Sequence, residues 1–117
     1  MHYSITELMK RNLHAIFDER DSAARMMELK AIWLPESVFV DPGGRYVGLD
    51  AIDRRVAEIQ EKYPDFGFIE RRAVQDMHGI GCLAWGYGPA DNRTAVTGVD
   101  IAVTRDGRIL ELYAFID

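Results

Sequence analysis

Cysteine is almost missing from this 117-residue chain: Cys82 stands alone. One thiol excludes an internal disulfide and any metal site built on several cysteines. It lies in an apolar stretch, which favours a buried, inert thiol over a nucleophile. Histidine is scarce too, with three in the chain. They show no H-E-x-x-H or related spacing, so neither a metal centre nor a cofactor is expected. No apolar run reaches the ~18 residues that a membrane span needs, so no membrane partner is expected. The N-terminus, MHYSITELMKRN, lacks the charged-then-apolar order of a signal peptide, and the expected location is cytoplasmic. Excess positive charge is missing as well. A net charge of −5 and a pI of about 5.1 argue against nucleic acid as a partner. The basic pairs Arg54-Arg55 and Arg71-Arg72 are flanked by acids and read as solvated surface.

What is present is an ordinary globular composition, 48% hydrophobic and 28% charged. The length suits a single domain over residues 1–117. Ser4 and Glu7 form an S-x-x-E capping box, and Ile5, Leu8, Met9, Leu13, Ile16 and Phe17 follow at helical spacing. A second helix is expected from Asp21 or Ser22 to about Leu34-Pro35. A short strand follows at Ser37 to Asp41 and another at Arg45 to Val47, around the turn Pro42-Gly43-Gly44. A third helix, capped by Asp50 and stopped by Pro64, puts Ile52, Val56, Ile59 and Tyr63 on one face. Four strands are then expected: Phe66 to Asp76, Ile80 to Gly88, Thr94 to Arg105 and Arg108 to Ile116. Helices first and a strand meander after predict an α+β fold. Gly79-Ile80-Gly81-Cys82-Leu83-Ala84 fits G-x-G-x-x-A, but it lies inside the meander rather than between a strand and a helix.

Asp106-Gly107 predicts a two-residue hairpin turn, and its register is countable. Arg105 faces Arg108, Thr104 faces Ile109, Ala102 faces Glu111, Asp100 faces Tyr113 and Gly98 faces Phe115. One face is then wholly aliphatic: Val99, Ile101, Val103, Leu110, Leu112 and Ala114. The other mixes Gly98, Asp100, Ala102, Ile109, Glu111, Tyr113 and Phe115. A mid-strand carboxylate between Val99 and Ile101 needs a partner or a proton if buried. Either the mixed face meets solvent, or helices cover it around a pocket and a second subunit covers the aliphatic face.

The helix break at FDERD, the segments VFVDPGGRYVGLDAI and LAWGYGPA, and the ending TGVDIAVTRDGRILELYAFID stand in an order and spacing that resembles the SnoaL-like group of the nuclear-transport-factor-2-like superfamily. The resemblance covers nearly the whole chain. It implies a curled antiparallel sheet, of about four long strands plus short ones, wrapped around three N-terminal helices and a pocket. It also implies a homodimer through the outer sheet face. Ketosteroid isomerase is a member of this superfamily. Its general base lies in a D-P-x-G turn, which Asp41 matches, and its neutral oxyanion-binding aspartate lies on a later strand, which Asp100 matches. Its helix-one tyrosine is replaced here: RNLHAIF puts Leu13 or His14 nearest.

Asp41 and Asp100 are therefore the candidate catalytic pair, one as base and the other as hydrogen-bond donor. Asp41 reads equally well as a turn cap. His14, Phe17, Trp33, Trp85, Glu111, Tyr113 and Phe115 are candidate ligand contacts, with Tyr87 a further aromatic. The expected ligand is a small, largely apolar carbonyl compound. The expected chemistry is isomerisation, cyclisation or dehydration without a cofactor, or else binding without turnover.

Overall fold

The structure, a computed structural model, describes residues 2–117. The Ser4–Glu7 capping box forms as the sequence predicts, and α1 runs Ile5–Arg11. The helix then widens into a π-helical turn, Asn12–Phe17. That turn buries Leu13, Ile16 and Phe17 and leaves His14 outside. Asp21 caps α2, Ser22–Ile32, by accepting from the Ala24 N–H. The helix stops short of the expected Leu34-Pro35, because Pro35 disfavours helix in the residue before it. Trp33 is already extended and opens β1, Trp33–Asp41. β2, Gly44–Val47, returns alongside it. α3 spans Leu49–Lys62, and its N-cap is Gly48 at φ 87°, not Asp50, which sits inside the first turn.

The segment expected as one strand over 66–76 divides into β3, Gly67–Glu70, and β4, Gln75–Met77. β5, Ile80–Gly88, β6, Val96–Arg105, and β7, Arg108–Ile116, complete a seven-stranded sheet. Its order is β2-β1-β7-β6-β5-β3, with β4 also on β5. The sheet is mixed rather than antiparallel, since β1 runs parallel to β7. Those two strands are joined through the rest of the chain, so no hairpin forces them to oppose. The α+β class and the curled, unclosed sheet around three helices agree with the sequence expectation.

The core lies between the helices and the concave sheet face, where Leu8, Met9, Leu13 and Ile16 join Leu83, Ala102 and Leu112. A buried polar tie fixes α2 to α3. Arg25 donates from Nε to Asp53 at 2.6 Å and from Nη1 to Gln60 Oε1 at 3.0 Å. The Gln60 amide donates to the Phe17 and Glu19 carbonyls, which satisfies the last acceptor of the π-turn and one just beyond it.

The last hairpin departs from the counted register. Asp106 and Gly107 take φ of 54° and 75°, as a two-residue turn requires, and the first two pairs form as expected. Leu110 then has no partner, and Glu111 pairs with Val103. This bulge moves every later residue of β7 to the opposite face. Asp100 therefore faces Ala114 rather than Tyr113, and Gly98 faces Ile116 rather than Phe115. Glu111, Tyr113 and Phe115 join Val99, Ile101 and Val103 on the convex side. Ser37, fully buried, braces the bulge. Its hydroxyl donates to the Ile109 carbonyl at 2.7 Å and accepts from the Leu34 N–H at 2.9 Å.

Candidate functional site

The concave face encloses a cavity of about 390 Å³, lined by both Asp41 and Asp100. Its walls are mostly aromatic. Phe17 and Phe39 lie 5.1 Å apart between ring centroids, and Phe68 packs on Trp85 at 5.5 Å and on Tyr87 at 4.0 Å. Leu13, Val96, Ala114 and Ile116 fill the gaps between the rings.

Asp100 owes its environment to its neighbours on the sheet. Trp85 lies directly opposite Gly98 in the β5–β6 pairing. Because Gly98 has no side chain, the indole lies across it; a Cβ there would overlap the Trp85 ring. The indole Nε1 then donates to Asp100 Oδ1 at 2.9 Å, and this is the carboxyl's one side-chain partner among the described residues. Asp100 is 5% exposed. Burial among apolar groups pushes its pKa up from 3.8 to about 7, and the Trp85 hydrogen bond offsets only part of that rise. Near neutral pH it is thus divided between an acid that donates and a carboxylate that accepts.

Asp41 is held quite differently. Oδ1 accepts from the Gly43 and Gly44 N–H groups at 2.8 and 3.1 Å, and Oδ2 accepts from Arg55 Nε at 2.7 Å. The turn cap and the cavity residue are therefore one and the same side chain. Three donors occupy most of the roughly four lone-pair directions of a carboxylate. Arg55 is a lining residue that the sequence reading placed on the surface together with Arg54. The available signal was helical spacing: Arg55 lies three residues after Ile52 and four before Ile59, beside the apolar stripe of α3. Its guanidinium also sits 5.4 Å over the Tyr46 ring.

The other expected contacts divide. Phe17 and Trp85 line the cavity. Trp33 does not; it is fully buried in the core, with its indole donating to Asn12 Oδ1 at 2.9 Å. His14 is outside as well, 2.8 Å from Glu70, because the π-turn gives the inward position to Leu13. Glu111, Tyr113 and Phe115 are on the far side of the sheet, for the reason the bulge supplies. There the Tyr113 hydroxyl bonds Glu111, and Phe115 is 62% exposed. Among the described residues no group of three His, Cys, Asp or Glu side chains is placed to hold a metal ion. No helix among them is long and apolar enough to cross a membrane.

Comparison with known proteins agrees with this architecture. The SnoaL-like domain family matches residues 11–112. A proposed isomerase of the SnoaL-like family from Agrobacterium tumefaciens strain C58 superposes with a TM-score of 0.88 at 20% identity, covering 95% of each chain. A proposed SnoaL-like polyketide cyclase from Jannaschia sp. CCS1 gives 0.80 at 13% identity, over 97% of this chain and 85% of that one. A proposed ketosteroid isomerase from Kribbella flavida DSM 17836 gives 0.73 at 14%, over 97% and 77%. Among curated proteins there is no significant match. At these identities the likeness is one of fold.

Proposed function

This chain belongs to the SnoaL-like domain family, and from that premise we propose that it binds a small, largely apolar carbonyl compound in the concave cavity. The observation that carries this reading is Asp100: a buried carboxyl with one partner, in an aromatic-walled cavity, with a pKa of about 7. In its neutral form it donates to the carbonyl oxygen and stabilises negative charge that develops there. Asp41 lines the same cavity and is the group to accept a proton from the carbon next to that carbonyl. The reaction class is proton transfer, as in isomerisation, cyclisation or dehydration.

A second reading, binding without turnover, is favoured by one specific observation. Asp41 already accepts from two backbone N–H groups and from Arg55. To act as a base it must use its remaining lone pair or release Arg55.

One experiment separates the two readings. 2-Acetylnaphthalene carries methyl protons next to its carbonyl, and their exchange in deuterium oxide is visible by proton NMR. The catalytic reading expects exchange above the buffer rate, lost in Asp41→Asn and in Asp100→Leu, which removes the donor to the carbonyl. Saturable binding with no faster exchange leaves the binding reading. Absence of binding contradicts both.

Homodimer formation belongs to the same proposal. The convex face carries Val38, Val40, Val99, Ile101, Tyr113 and Phe115, an apolar surface suited to a second copy.

A further inference from the structure

We propose that the ligand carries an acidic group, held at the cavity mouth by the free edge of Arg55. This rests on the reading of the cavity as a ligand site and names the class of ligand more narrowly. Arginine commonly pairs with a carboxylate through two parallel N–H bonds. Here Asp41 takes only Nε, at 2.7 Å, and among the described residues the only other carboxylate near the guanidinium, Glu58, is 4.0 Å from Nη1. The outer fork of Nη1 and Nη2 therefore has no hydrogen-bonded acceptor among the described residues.

That fork is also held still. Asp41 fixes one edge, the Tyr46 ring lies beneath at 5.4 Å, and the Gly43 backbone leaves room for Nη2 where a side chain would collide with it. The side chain is 24% exposed, so the fork is neither fully hydrated nor shut away. A preorganised guanidinium edge of this kind suits a planar pair of oxygens. Lys62, two turns further along the same face of α3, also lines the cavity and has no ion pair among the described residues. The cavity thus has an anion-accepting mouth, an aromatic middle and a carboxyl at Asp100. The matching molecule has an acidic group, an apolar aromatic body and a carbonyl oxygen for Asp100.

The test uses two probes of one shape, 6-acetyl-2-naphthoate and its neutral methyl ester, titrated calorimetrically into the folded protein. The acid is expected to bind about tenfold tighter than the ester in the wild type. Arg55→Gln should abolish that preference, so that the acid binds no tighter than the ester. Arg55→Lys, which keeps the charge but not the fork, should retain only a minor part of it. Lys62→Gln, at an exposed position, should reduce the preference without touching the Asp41 pair. Circular dichroism checks that each variant is folded. If the ester binds as tightly as the acid, the acidic-group inference fails and the cavity reading stands. If neither probe binds, both fail. A preference for the acid that survives both Arg55 variants also overturns the assignment.

Discussion

At the scale of the residue, Asp41 and Asp100 show that one residue type takes two characters from two surroundings. Asp100 stands among apolar groups with one indole N–H, and its proton is held to about 7. Its folded pKa lies above its unfolded value, so its contribution to stability is full at pH below about 3.8 and is lost as pH rises through about 7. The loss is on the order of 4 kcal/mol from acid to alkaline conditions. Asp100→Asn keeps the acceptor for Trp85 and cannot ionise. Its melting temperature should exceed that of the wild type above pH 7, with the gap closing on acidification. Equal pH profiles for the two proteins would count against a buried neutral carboxyl. Asp100 stood out in the sequence because a carboxylate between Val99 and Ile101 is a poor core residue. Arg55 did not stand out, because its neighbour Arg54 and the surrounding acids gave the segment a surface character that outweighed its spacing beside the apolar stripe of α3.

At the scale of the element, the bulge in β7 decides which side chains see the cavity. The turn at Asp106-Gly107 was legible from residue types, and so were the first two pairs of the hairpin. Leu110 was not, since nothing in an alternating run of apolar residues marks the one that drops out of pairing. Its effect is large because strand side chains alternate with a period of two, so one extra residue exchanges faces for Glu111 through Ile116. Ser37 supplies the missing hydrogen bond on the neighbouring strand. Ser37→Ala leaves the Ile109 carbonyl and the Leu34 N–H without that partner and should cost about 2–3 kcal/mol. In urea this is a lower midpoint with an unchanged slope. A change below a few tenths of a kcal/mol would show that the bulge holds without its brace.

At the scale of the whole molecule, the sheet has a concave face turned to the helices and a convex face turned away from them, and the α+β order of the chain announced that arrangement better than its details. The convex face, with Phe115 62% exposed and Tyr113 beside it, predicts a dimer of the 13.3 kDa chain in solution. Light scattering at micromolar concentration should give twice that mass, and Phe115→Glu should halve it; a monomeric wild type would exclude the dimer. The concave face carries the central claim, that Asp100 in its neutral form holds a carbonyl ligand inside the cavity. The most direct measurement is the affinity for 2-acetylnaphthalene on either side of pH 7, for the wild type and for Ala114→Phe, which fills the cavity opposite Asp100. Affinity should be level on the acid side, fall as pH rises through about 7, and vanish in Ala114→Phe. An affinity indifferent to pH, or binding that survives the filled cavity, would contradict it.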